Sequence, residues 1–291
     1  MRVQVLIAGF LTAACGGPLT EAQQAPAIPA GQLVRDVVSN ELNDHARHGY
    51  WRYWVERHTQ TGMRHEEEVE TAQGPITRLT ETNGRPLDAQ ARQEEDARLA
   101  RLLNSSQEQA RHRQQYAEDE ARIGRILALL PDAFLYEYDG FADGCFRLRF
   151  RPDPGYPARS IEARVFHAMT GELWIDARFK RLARLDGRVA DNVDFGFGLL
   201  GRLYKGGWFR LVRTQVGASD WKTSQLEVHM SIRALLVKTF ARETSESRGG
   251  FTPVPPGIGL NQAAILLDAS SDSARAQTPS PIASAALAVR P

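Results

Sequence analysis

Between positions 226 and 236 the chain alternates. Leu226, Val228, Met230, Ile232, Ala234 and Leu236 are apolar, and Glu227, His229, Ser231 and Arg233 fall between them. A period of two over that length predicts a β-strand with one buried and one wetter face. The same alternation occurs at Phe134, Tyr136 and Tyr138, and again at Phe146, Leu148 and Phe150. Ile161, Ala163 and Val165 read as one face of a further strand. Thr170-Gly171 reads as a turn, Leu173-Trp174-Ile175-Asp176 opens another strand that Asp186-Gly187 ends, and Gly206-Gly207 precedes a strand from Trp208 to Val216. Nearer the start, the aromatic run from Tyr50 to Val55 is a strand. A hairpin turn at Thr61-Gly62 leads to a return strand over Met63–Thr71, and Pro75–Thr80 is a third strand closed by Asn83-Gly84. Turns every dozen or so residues, with few helices between them, imply an antiparallel meander, because parallel strands need crossovers.

Helical spacing appears in three places. Leu33, Val34, Val37, Val38 and Leu42 predict an amphipathic helix of about three turns ending near His48-Gly49. From Leu87 to Leu130 the chain is dense in Glu, Arg, Gln and Ala. Leu99, Leu102 and Leu103, then Ile123, Ile126, Leu127 and Leu130, predict two helices broken near Asn104-Ser105-Ser106 and stopped by Pro131. Leu260–Leu267 reads as a short closing helix, and the Ser/Ala/Pro-rich tail over 269–291 is expected to be disordered. The fold class that follows is α+β, mainly antiparallel β. It is a curved half-open barrel of about ten strands in one domain over 31–268, with an N-terminal helix and a helical insertion over 87–130.

The N-terminus changes the picture. Met1-Arg2 precedes an apolar run, Val3 to Ala14, broken only by Gln4 and Thr12, and a Pro/Ala-rich leader reaches Ala30. This pattern predicts a secretory signal peptide, too short to span a bilayer as a permanent helix. Leu11-Thr12-Ala13-Ala14-Cys15 resembles a bacterial lipobox, with Thr12 where a leucine is expected, so Cys15 is a candidate lipid attachment site. The alternative is ordinary cleavage at Thr20-Glu21-Ala22 or Ala25-Pro26-Ala27. Either way Cys145 has no intramolecular disulfide partner and reads as a small residue on a strand. A net charge of +1 gives no electrostatic argument for nucleic acid.

Candidate chemistry adds little. Gly196-Phe197-Gly198-Leu199-Leu200-Gly201 fits GxGxxG and Asp194-Phe195-Gly196 fits DFG, yet strands flank them where a βαβ unit or a kinase core would be needed. These glycines read as a bend or bulge in a curved sheet. His65-Glu66-Glu67-Glu68 lacks the second histidine of HExxH; on a strand it places His65 and Glu67 on one face and Glu66 and Glu68 on the other, read as solvated. No motif for a metal, a cofactor or a nucleophile is present. Trp51, Trp54, Trp174, Trp208 and Trp221 are candidates for core or for the wall of an apolar cavity.

The order of these features resembles the LolA/LolB-like group of periplasmic lipoprotein carriers and outer-membrane lipoprotein-sorting receptors. The local likeness lies at Gly171-Glu172-Leu173-Trp174-Ile175-Asp176, followed by Arg181-Leu182-Ala183-Arg184-Leu185-Asp186-Gly187. The resemblance spans roughly Leu33 to Lys238, and the block from Leu87 to Leu130 is larger than the lid helices usual there. It implies a half-open barrel lidded by helices that binds acyl chains without catalysis or cofactor, in the periplasm or at the outer membrane. The expected ligand wall is Leu226, Val228, Met230 and Ile232, joined by Trp174 or Trp208. A structural or interaction protein with a filled barrel is the alternative, and a hydrolase stands third.

Overall fold

A computed structural model describes residues 28–44, 49–195, 201–234 and 238–277. The leader with Cys15, the segment 196–200, Leu236 and the last fourteen residues lie outside them. Helix α1 (Ala30–Asp44) leads into strands β1 (Trp51–Thr59), β2 (Gly62–Val69), β3 (Ile76–Thr82) and β4 (Arg85–Pro86). Helices α2 (Ala89–Asn104) and α3 (Ser106–Ala133) follow, then β5 (Phe134–Ala142), β6 (Cys145–Pro152) and the short α4 (Ile161–Phe166). Next come β7 (Met169–Asp176), β8 (Arg181–Val189), β9 (Val193–Phe195) and β10 (Gly201–Leu203). The chain ends on β11 (Trp208–Gln215), β12 (Trp221–Ala234), β13 (Lys238–Pro253) and α5 (Leu260–Gln277).

One antiparallel sheet holds all thirteen of these strands, in the order β4-β3-β2-β1-β13-β12-β11-β8-β7-β6-β5, with the β9–β10 hairpin attached to β12. It is the expected half-open barrel; three of the strands, β4, β9 and β10, are only two or three residues long. The last strand, β13, lies between β12 and β1, so the N-terminal hairpins are joined to the end of the meander. The Asn83-Gly84 turn forms as expected: both residues have positive φ, 52° and 71°, as a two-residue hairpin loop of this hand requires.

Several elements depart from the sequence reading, among them β13 (Lys238–Pro253), a long strand that no alternation predicted. Ile161–Phe166 is a helix, not a strand, because the Ser160 hydroxyl accepts the Ala163 N–H and starts a helical turn. Thr170-Gly171 and Asp186-Gly187 sit inside β7 and β8, which form a hairpin where one strand was expected. Pro131 lies in the last turn of α3, where the i→i−4 bond it forgoes leaves little helix beyond it to disrupt, and the helix runs on to Ala133. Helix α5 continues past Leu267 to Gln277. The break at Ser105 is as expected: its amide bonds to the Arg101 carbonyl at the end of α2, and its hydroxyl accepts Glu108 N–H at the start of α3.

The apolar residues bury on both sides of the sheet. On the concave side, α1, α3 and α4 cover β5 to β8 through Leu33, Val34, Val37, Val38, Leu148, Phe150, Leu173 and Ile175. On the outer side, Val69 and Ile76 meet Leu99 of α2 and Leu260, Ala263, Ala264 and Leu267 of α5. Side chains of α2 also cap the exposed backbone of β3. Leu79 N–H donates to Glu95 Oε1 at 2.9 Å, and Arg98 Nη2 donates to the Thr77 carbonyl at 2.5 Å and to Glu95. An open strand edge left bare would invite pairing with another chain.

Burial works against ionisation of Glu95, but the hydrogen bonds from Arg98 and the Leu79 amide outweigh it and hold the carboxyl below its usual range. Its stabilising contribution is therefore full above the ordinary glutamate pKa of about 4.3 and is lost as pH falls through the lowered folded value. Glu95→Ala should cost about 1–3 kcal/mol, because it leaves a buried amide and a guanidinium without their acceptor. Urea unfolding at pH 7 should show the loss, and the gap from wild type should narrow in strong acid. Equal midpoints at pH 7 would show that the β3 edge needs no such cap.

Candidate functional site

Residues paired across an antiparallel ladder share a face, so the registers trace which side chains meet. One row runs Leu148 (β6), Leu173 (β7), Leu185 (β8), Leu211 (β11) and Leu226 (β12), all on the concave face. The next row runs Phe150, Gly171, Gly187, Phe209 and Val228. The two glycines account for the position of the two rings. A Cβ at Gly171 would lie 2.7 Å from the Phe150 ring, and a Cβ at Gly187 would collide with the Phe209 ring. Both rings therefore pack closely over glycine backbone, the pairing that shelters a glycine within a strand.

Helices α1 and α3 cross above these rows and enclose a cavity of about 270 Å³. The helices contribute Val34, Val37, Val38, Ile126, Leu127 and Leu130, and the sheet contributes Leu173, Ile175, Leu185, Phe209 and Leu211. Only Tyr136 and Glu41 bring polar atoms. The Tyr136 hydroxyl donates to the Leu130 carbonyl at 2.7 Å, and burial raises its pKa. Glu41 is buried, paired with Arg181 at 3.2 Å and with Arg213. Exposed Leu42 and Ile123 continue the apolar stripes of the two helices past the lining. A surface of this kind can hold an alkyl chain.

The expected ligand wall is only partly where the alternation put it. Leu226 and Val228 do lie on the concave face, half-buried, next to cavity residues Leu211 and Phe209, but outside the enclosed volume. Met230 and Ile232 pack against Ala168, Val189, Val193 and Leu203. Trp174 and Trp208 do not join them: both point to the opposite face. Arg184 covers the Trp174 ring at 4.4 Å, and Trp208 stacks on His229 at 4.2 Å. Strict alternation explains this, since Trp174 lies between inward Leu173 and Ile175 and Trp208 precedes inward Phe209. Trp51 and Trp221 are buried in the core, and Trp54 stacks on His65 on the outer face. The lid residues and the Leu185–Leu211 pair lie outside the expected wall; the 209/211 alternation carries the signal for the latter.

A second concavity, about 840 Å³, lies on the outer face around Trp208, Glu172, Asp186, Arg188 and Arg210. Its chemistry is that of a surface ion-pair ladder. Burial disfavours the Asp186 charge, yet hydrogen bonds from Arg184 and Arg210 keep its carboxyl below the usual range. Among the described residues no group of His, Cys, Asp and Glu could hold a metal ion. Glu66 and Glu68 do lie opposite His65 and Glu67, as expected on a strand, but their face is the concave one, and Glu66 is buried where a solvated position was expected.

Sheet, lid and cavity together define the architecture of a half-open β barrel with an apolar cavity under its helical lid. No protein-family model matches the sequence, and no curated protein matches it. Among solved structures the chain is similar to a DUF1329 family protein from Desulfovibrio piger, with 12% identity and a TM-score of 0.33, over 82% of this chain and 100% of that one. So distant a likeness carries no argument about function.

The glycine floor can be tested directly. Gly187→Ala should drive the Phe209 ring off its strand, cost about 1–3 kcal/mol by overpacking, and lower the melting temperature. Gly187→Ala/Phe209→Ala should recover part of the loss. If the single variant melts with wild type, the ring does not lie where the structure puts it.

Proposed function

We propose that this protein is an exported binding protein of the bacterial cell envelope, which carries an apolar ligand, the acyl chain of a lipid or of a lipoprotein, on its concave face. The observation that carries the reading is the cavity between lid and sheet, apolar on every side except at Glu41 and Tyr136. A large open concave sheet next to it presents further half-buried apolar residues, among them Leu226 and Val228. The leader from Met1 to Ala30 supports export, and Cys15 supports a lipid anchor.

A barrel filled by its own side chains, serving as an envelope scaffold, is the competing reading. The modest volume favours it, since 270 Å³ falls just under the range of about 300–1,000 Å³ common for ligand sites. Titration with N-phenyl-1-naphthylamine, a neutral apolar dye, separates the two. Wild type should bind it with enhanced fluorescence, and native mass spectrometry should find co-purified lipid. Leu185→Trp, which fills the lined space from a half-buried position, should cut dye affinity at least tenfold while melting within a few degrees of wild type. Dye binding that ignores the substitution, or no binding by wild type, would transfer the protein to the scaffold class.

Export has its own check. Protein recovered from a bacterial envelope fraction should lack residues 1–14, and Cys15→Ala should move it into the soluble fraction. Intact Met1 on cytoplasmic protein would overturn the export reading, and unchanged fractionation of the variant would assign ordinary cleavage.

A further inference from the structure

The leucine row does not end at Leu226. Its next members by register are Glu246 on β13, Arg57 on β1 and Arg64 on β2. Five leucines on successive strands thus give way, in the same row of the same face, to an ion-pair cluster. Arg57 pairs with Glu246 at 2.8 Å and lies 3.9 Å from Glu66; Arg64 pairs with Glu66 at 2.9 Å; Arg248 pairs with Glu246 at 2.5 Å.

The two signs are not equally accessible. The carboxylates lie at the bottom, with side chains 11% exposed at Glu66 and 7% at Glu246, whereas Arg57, Arg64 and Arg248 are 37%, 56% and 28% exposed. An incoming group therefore meets guanidinium N–H donors, of which each arginine has five, more than two carboxylates consume. The other charged groups nearby are engaged: Glu68 accepts from the Tyr53 hydroxyl at 2.5 Å, Glu70 holds Lys222 at 2.7 Å, and Arg98 holds Glu95. From Leu185 to Arg57 is four strand spacings, about 19 Å along the sheet, the span of a long alkyl chain.

We infer that the ligand is an anionic single-chain amphiphile, whose tail lies along the leucine row and whose head group is bound by Arg57, Arg64 and Arg248. The inference rests on the apolar-ligand reading and adds the charge and the direction of the ligand. Planar guanidinium forks match the oxygens of a carboxylate or phosphate, while a cationic head would face the same arginines and be repelled. Leu185, Leu211 and Leu226 are each half-buried, so part of every side chain along the path from tail to head stays accessible.

Displacement of N-phenyl-1-naphthylamine by three C16 competitors, used below their micelle concentrations, tests this. Palmitate should displace the dye at least tenfold better than hexadecanol or hexadecyltrimethylammonium. Arg57→Gln removes one positive charge while Glu246 keeps its pair with Arg248 and Glu66 keeps its pair with Arg64, and should reduce that preference to about twofold with dye affinity unchanged. Arg64→Gln, at the most exposed of the three, should weaken palmitate about threefold and guards against misfolding of the Arg57 variant. Equal displacement by all three competitors, or a preference that survives both variants, overturns the anionic assignment and leaves the apolar site standing. Failure of the dye to bind overturns the apolar site and this inference with it.

Discussion

Burial of the concave leucine row is the constraint on which the remaining structure depends. An antiparallel sheet of this width leaves one face of each strand to be covered, and here the cover over β5 to β8 comes from outside the meander. Leu33, Val34, Val37 and Val38 of α1 are buried against it, each contributing about 1.5–3 kcal/mol of transfer free energy. Those four residues alone make α1 a large part of the stability of a domain whose net total is of order 5–15 kcal/mol. The polar contacts of α1 then fix its orientation. Asp36 pairs with Lys180, Asn40 donates to the Lys180 carbonyl, Glu41 meets Arg181 and Arg213, and Arg35 reaches Asp132 of α3. The lid is held by apolar burial and given its register by ions.

Strands and long helices were legible because each obeys one period. The alternation at 226–232 and the 3.6-residue stripes at 33–42 and 123–130 correspond directly to β12, α1 and α3. Local signals misled where a residue type served a long-range purpose. Gly171 and Gly187 look like turn residues in sequence, but in the sheet each makes room for an aromatic ring on the neighbouring strand. The sequence contains no trace of that pairing, because it depends on register. Ile161, Ala163 and Val165 have the spacing of a strand, and the Ser160 cap decided the matter for a helix.

The candidate site was half legible for the same reason. Alternation assigns a residue to a face, so Leu226 and Val228 were placed correctly, and it assigns Trp174 and Trp208 to the opposite face once Leu173 and Phe209 are known to point inward. Size and hydrophobicity argued for the tryptophans, but parity outweighs composition in a strand. Which strands lie side by side could not be read. The adjacency of β13 to β1, which places Glu246 beside Arg57, joins residues almost two hundred positions apart. Glu66 and Glu68 read as solvated for lack of that knowledge.

The charge on one side of the concave face also explains why the barrel stays half open. Covering Arg57, Arg64, Glu66, Glu246 and Arg248 with an apolar helix would remove water from several ions, at a desolvation cost of several kcal/mol per ion that their mutual attraction repays only with ideal geometry. Helices α1, α3 and α4 therefore cover the apolar half, and the ionic half keeps its solvent. A fully apolar interior would collapse onto itself or close under a longer lid. A fully ionic one would not fold. The boundary between the halves falls between Leu226 and Glu246, on neighbouring strands, and it is there that a molecule with one apolar and one charged end gains from both.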